Sequence, residues 1–159
     1  MPTIQKITPC LWSNAAAEEL ANHYVSIFPN SRIVNVSRYG KGQRVPEGTA
    51  LMVDFELAGQ RFQALNGGID FPYSQAISLS VSCDGQAEVD HLWDRLVDGG
   101  KPVQCGWLTD KFGLSWQIVP KAFGELMSKG TPEQSARVMT AMLGMIKLDV
   151  AALQKAFDG

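Results

Sequence analysis

Apolar and polar positions alternate with a period of two on both sides of Asp110-Lys111-Phe112-Gly113. Val103, Cys105 and Trp107 alternate with Gln104, Gly106 and Leu108. Beyond the turn, Leu114, Trp116 and Ile118 share one face, and Ser115, Gln117 and Val119 share the other. Alternation flanking an Asp/Gly turn predicts a β-hairpin. A glutamine in the middle of the second face indicates either a lined cavity or a solvent-facing amide.

Similar patterning extends along the chain. Ile4–Trp12 reads as a strand in which Pro9, unable to donate a ladder hydrogen bond, marks an edge or a bulge. Ser13-Asn14 offers an N-cap for a helix to about Phe28, whose buried stripe is Leu20, Tyr24, Ile27 and Phe28. Residues 32–38 are rich in β-branched residues and predict a strand, and the glycine-rich residues 39–49 a loop. Residues 50–57 and 60–65 predict a hairpin around Ala58-Gly59, completing a β-α-β-β-β unit. A linker over 66–75, punctuated by Asn66-Gly67-Gly68 and Pro72, leads to an alternating strand over 76–83. Asp84 is the expected cap of a helix that buries Val89, Leu92, Trp93, Leu96 and Val97 and closes at Gly99-Gly100. Residues 101–120 supply the remaining strands. In the tail, Thr131-Pro132-Glu133-Gln134 has the form of a capping box with proline at the first helical position, and Asp149 caps a last helix through Phe157. Met127, Met139, Met142 and Met145 offer either an adaptable packing surface or ordinary core.

The chain carries an internal repeat. Gly59-Gln-Arg-Phe62-Gln63-Ala-Leu65 matches Gly113-Leu-Ser-Trp116-Gln117-Ile-Val119 at an offset of 54 residues, and Asn14-Ala-Ala-Ala-Glu18 resembles Asp84-Gly-Gln-Ala-Glu88 at an offset of 70. Two matches in the same order imply a duplicated module. The predicted fold class is α+β, with two tandem βαβββ modules over 1–66 and 76–120 and a helical extension over 121–159. Because Phe62 and Trp116 have the bulk to fill the helix-side core, strand alternation turns Gln63 and Gln117 to the opposite, inward faces.

Composition narrows the function classes. Of 159 residues, 45% are apolar and 19% charged, enough for a sizeable core. The net charge of −2 without any basic run gives no electrostatic support for nucleic acid or anionic membrane partners. The N-terminal residues lack a signal-peptide pattern, and no apolar run approaches the roughly 20 residues of a membrane helix. Cys10, Cys83 and Cys105 fit reduced, mostly buried thiols of a cytoplasmic protein.

The segments TPCLW, NGGIDF, AISLSVSCDGQAEVDHLWDRL, QCGWLTDKFGLSWQIVP and AMLGMIKLDVAAL resemble the PhnB-like family, named 3-demethylubiquinone-9 3-methyltransferase-like, of the vicinal oxygen chelate superfamily. That superfamily includes glyoxalase I, bleomycin-resistance proteins and extradiol dioxygenases. The resemblance implies two curled sheets, each forming a cup with helices outside. It also implies four metal-ligand positions, two on first strands near residues 7–9 and 77–79 and two on last strands at Gln63 and Gln117. None of the four is a histidine, and two amides with two hydroxyls make a poor site for a divalent transition metal. His23 and His91 fall in predicted helices and read as ordinary helix residues. No metal and no cofactor are therefore expected. The methyltransferase name is disfavoured, because no G-x-G-x-x-G turn follows a strand.

The expected activity is metal-free binding of a small organic molecule in the cup. Candidate contacts are Gln63, Gln117, Ser115, Thr8, Ser78, Trp12 and Trp107. A metal-independent isomerase or lyase is the alternative, with Asp110 and Asp70 as available carboxylates whose simpler role is in turns. A homodimer is expected from the superfamily's habit of pairing modules, from the methionine-bearing tail and from the strand edge near Pro9.

Overall fold

The computed structural model describes residues 5–159. These residues form two compact units, one ending at Pro72 and the other spanning Tyr73–Gly159. In the first unit, β1 (Cys10–Ser13), α1 (Ala17–Ile27), β2 (Arg32–Arg38), β3 (Ala50–Leu57) and β4 (Gln60–Asn66) follow in chain order. The sheet order is β1-β4-β3-β2, with β1 parallel to β4 and the other pairs antiparallel. Val53, Phe55, Phe62 and Ala64 lie on one face and are buried with the α1 stripe Leu20, Ala21, Tyr24 and Ile27. Asp54, Glu56, Arg61 and Gln63 take the other face.

The second unit repeats this plan with β5 (Ser78–Cys83), α2 (Gln86–Val97), β6 (Lys101–Pro102), β7 (Trp107–Thr109) and β8 (Ser115–Pro120), in the order β5-β8-β7-β6. Leu108, Trp116 and Ile118 are buried with Val89, Leu92, Trp93 and Leu96 of α2. The register restates both repeat offsets. Cys10 stands beside Gln63 in the first sheet, and Ser80 stands beside Gln117 in the second. The expected α+β class with paired βαβββ plans is the observed one.

Three helices complete the second unit: α3 (Lys121–Lys129), α4 (Pro132–Leu143) and α5 (Val150–Asp158). Thr131 and Gln134 close the predicted capping box, and Asp149 caps α5 through Ala152 N–H. Leu126, Val138 and Leu153 form a small core, against which Met127, Met142 and Met145 pack beside Phe123 and Phe157. Three of the four tail methionines are thus spent inside the tail itself.

Several boundaries differ from the pattern reading. The first strand begins at Cys10; Ile4 lies outside the described residues, and Ile7 is 84% exposed. Pro9 accounts for the late start: it has no N–H to donate, although its carbonyl still accepts from Gln63 N–H. Neither Ser13 nor Asn14 is the N-cap of α1, which is Ala16. Ser13 Oγ accepts from Ala16 N–H, while Asn66 Oδ1, arriving from the end of β4, accepts from Ala17 N–H. A side chain distant in sequence satisfies a donor that local capping was expected to serve. The N-cap of α2 is Gly85 rather than Asp84, whose carboxylate pairs instead with Lys121. Only Cys83 of the three cysteines is buried, against the expectation of mostly buried thiols; Cys10 is exposed because it stands on the open face of its sheet.

The alternation over 103–108 does not form one strand. Cys105 and Gly106 both have positive φ, 61° and 82°, and break the run between β6 and β7. Their N–H groups donate to Met145 O and Ile146 O at 2.8 and 2.7 Å, while Gly106 O accepts from Ile118 N–H. The excursion therefore receives the tail. Gln86 strengthens that attachment by bonding both Leu148 O and Val150 N–H, and Leu148 is buried against Gly106.

Candidate functional site

The open face of the first sheet holds a concavity of about 390 Å³. Strand alternation supplies its polar floor, because Asp54, Glu56, Arg61 and Gln63 alternate along β3 and β4 with the helix-side core residues Val53, Phe55, Phe62 and Ala64. Gln5, Thr8, Asp54, Glu56, Arg61 and Gln63 contribute its polar lining. Register sets Asp54 beside Gln63 across β3 and β4, and Gln63 Nε2 donates to Asp54 Oδ1 at 3.0 Å. At the rim, Glu56 pairs with Arg32 at 2.9 Å and with Arg61 at 3.4 Å. The hydrogen bond from Arg32 holds the Glu56 carboxyl below its ordinary range, with smaller help from Arg61. Gln5 ties down the mouth by bonding both the carbonyl and the N–H of Arg61.

Cys10 stands beside Gln63 on this face. Partial burial, and secondarily the nearby Asp54 charge, raise its thiol pKa. Burial pushes Cys83 up to about 11. Neither thiol is a thiolate at neutral pH, which argues against nucleophilic chemistry at either.

The sequence-derived candidates divide between the two units. Thr8 and Gln63 line the first concavity. Trp12 is drawn to the end of the sheet instead: its indole N–H donates to Ile69 O, its ring meets Phe71 at 5.1 Å, and it covers Gly67 so closely that a Cβ there would fall 2.0 Å from the ring. In the second unit Gln117, Ser115, Ser78 and Trp107 fall on or beside one sheet face. Gln117 Nε2 donates to Ser78 Oγ at 2.9 Å, and Trp107 faces Gln117 across β7 and β8. Ser115 is buried. A recess of about 500 Å³ in this unit lies farther along, between the end of the sheet and α3, where Ser80, Ser82, Val119, Lys121 and Phe123 line it and Gln117 does not.

Asp54 was missed by the pattern reading, which named Asp110 and Asp70 as the available carboxylates. Its signal was present: Asp54 interrupts the apolar run Val53-Asp54-Phe55 at a position whose neighbours are core. Asp110, in contrast, is a turn residue. Its Oδ1 accepts from Phe112 and Leu114 N–H and its Oδ2 from the Trp116 indole, on the helix side. Asp70 is exposed in the segment after β4.

His23 lies in α1 and His91 in α2, away from the sheet faces. Among the described residues no group of three His, Cys, Asp or Glu side chains is placed to hold a metal ion. The first concavity pairs one carboxylate, Asp54, with the neutral amide of Gln63, and on the second face Gln117 meets the Ser78 hydroxyl, with no imidazole in either set. Such donor sets do not fit the divalent transition metal that the resemblance implies. The turns entering α1 and α2 are Ser13–Ala16 and Asp84–Gly85, and neither has the glycine-rich form of a dinucleotide-type fold. No helix among the described residues is long and apolar enough to cross a membrane.

Comparison with known proteins places this geometry. The model of a family described as 3-demethylubiquinone-9 3-methyltransferase matches residues 5–119. The matched region therefore stops before α3, and the tail segment AMLGMIKLDVAAL lies outside it. A PhnB protein from Bacillus cereus, described as a 3-demethylubiquinone-9 3-methyltransferase, is 35% identical over 73% of this chain and 99% of its own, with a TM-score of 0.69. A Staphylococcus aureus protein is 32% identical over 72% of this chain and 94% of its own, with a TM-score of 0.35. One from Pseudomonas aeruginosa shares the fold at 18% identity, over 73% and 97%, with a TM-score of 0.61. The search of curated proteins found no match. The duplicated βαβββ plan, the match over both units and the Bacillus relative together make this chain a member of the PhnB-like family.

Proposed function

We propose that the protein binds a small organic molecule on the open face of its first sheet, without a metal. The observation that carries this reading is the Asp54–Gln63 pair in a concavity of about 390 Å³, within the size range of small-molecule sites. An amide and a carboxylate can orient a polar ligand through hydrogen bonds alone. The test is a fragment titration of the EDTA-treated full chain followed by NMR. Ligands are expected to shift the Gln63 side-chain amide, and Gln63→Ala is expected to weaken binding by roughly fivefold to tenfold. Dependence of binding on added zinc or nickel would refute the metal-free reading.

A second reading, a metal-independent isomerase or lyase, is favoured by one observation: a carboxylate, Asp54, does face the concavity. It would have to serve as the general base. The family's methyltransferase name is not supported by any feature of the site.

The assembly we infer is a homodimer in the cytoplasm. Ile7, Ile77, Leu143 and Ile146 are all more than half exposed, and both sheets end in open edge strands. A second copy would cover apolar surface of this kind. Analytical ultracentrifugation at micromolar concentration should give a mass near twice that of the chain, and a single monomeric species would reject the dimer.

A further inference from the structure

The two glutamines have cross-strand neighbours of different chemistry. Beside Gln63 on the neighbouring strand stands Asp54, whereas beside Gln117 stands Trp107. A carboxylate can only accept hydrogen bonds. The 3.0 Å contact therefore fixes the Gln63 Nε2 group toward Asp54 and turns Gln63 Oε1 away from it. Both side chains then present unused acceptor capacity: a carboxylate oxygen from one and an amide oxygen from the other. Thr8 adds a hydroxyl to the same lining.

The charges around this floor are paired at its rim. Among the described residues, the ion pairs on this face are those that Arg32 and Arg61 make with Glu56, at the rim. No described cation pairs with Asp54. Both arginines are more than half exposed, so solvent screens them, while Asp54 sits lower in the sheet and is partly buried. Cys10 senses this charge, since Asp54 contributes to holding its thiol protonated.

We propose that the first concavity selects a protonated amine, with the ammonium group seated between Asp54 and Gln63 Oε1. Three N–H donors of a primary ammonium match the acceptors on offer, and the charge-assisted bond to Asp54 gives the selection. The proposal rests on the reading that this concavity is the ligand site.

The experiment compares benzylamine, benzyl alcohol and benzoate, which share a ring and differ in the charge of the head group. Each is titrated at neutral pH into the isotopically labelled full chain, and the Gln63 side-chain amide is followed. Benzylamine is expected to bind roughly tenfold tighter than benzyl alcohol, with benzoate weaker still. Asp54→Asn should abolish the preference for the amine over the alcohol, and Asp54→Glu should retain most of it. Circular dichroism spectra matching the parent check that both variants fold; if Asp54→Asn fails to fold, the ligand ranking on the parent together with the Asp54→Glu result decides. Benzoate or benzyl alcohol binding as tightly as benzylamine overturns the charge selection and leaves the ligand site standing. If none of the three moves Gln63, the site itself is refuted along with the selection.

Discussion

Asp110→Ala is expected to lower the free energy of unfolding by about 3 kcal/mol, read as a reduced urea midpoint at unchanged slope. The carboxylate is 3% exposed and serves three donors: Phe112 N–H at 2.9 Å, Leu114 N–H at 3.0 Å and the Trp116 indole at 2.8 Å. Removing it strands two backbone amides and an indole in or near the core. Each stranded donor costs on the order of 1–3 kcal/mol, less whatever water can recover. The same turn is closed by main-chain bonds from Asp110 N–H to Leu114 O and from Gly113 N–H to Asp110 O, so the connection should survive in weakened form. Asp110→Asn keeps the Oδ1 acceptor but presents an amide N–H to the indole, and about half the loss is expected. An Asp110→Ala loss below about 1 kcal/mol would mean that the turn, not the carboxylate, organises β7 and β8.

Asn66→Ala should cost about 2–3 kcal/mol in the same assay, with a different local signature. Asn66 is 1% exposed. Its Oδ1 accepts from Ala17 N–H and its Nδ2 donates to Ala50 O, both at 2.9 Å, so one side chain joins the start of α1, the start of β3 and the end of β4. Its carbonyl also accepts from Tyr39 Oη at 2.5 Å. Amide hydrogen exchange should therefore accelerate at Ala17 in Asn66→Ala and remain unchanged there in Asp110→Ala. Equal exchange at Ala17 in both variants would count against the capping role. Asn66→Asp is not a rescue, because it would set a carboxylate oxygen against Ala50 O.

The contrast between these residues explains what the amino-acid pattern could and could not disclose. Alternation set Gln63 and Gln117 on the faces opposite the helix-side core because a period of two needs only neighbours along the chain, and the repeat offsets of 54 and 70 residues reappear as strand register. Local capping chemistry likewise announced Thr131 and Asp149, whose partners lie three residues away. Asn66 looked like turn punctuation before two glycines, since nothing local indicates a donor 49 residues upstream. Asp54 was hidden for a related reason: its meaning depends on which residue the next strand brings alongside. The break at Cys105-Gly106 ran against a good alternating pattern because the tail's carbonyls, about 40 residues later, offered those two N–H groups better partners than a strand would. Trp12 was expected in the cup because its strand end is near it, but a hydrogen bond to Ile69 O draws it to the sheet's end.

The excursion at Cys105-Gly106 also bears on how this helical tail could be moved between proteins. The family match ends at residue 119, and residues 121–159 follow it, yet they plug into a dent that lies inside the matched region. A left-handed Cys105 would be needless backbone strain in a chain with nothing to dock there. A tail of this kind grafted onto another member of the family would therefore dock only where the recipient carries a socket like Gln104–Gly106 and a clamp like Gln86.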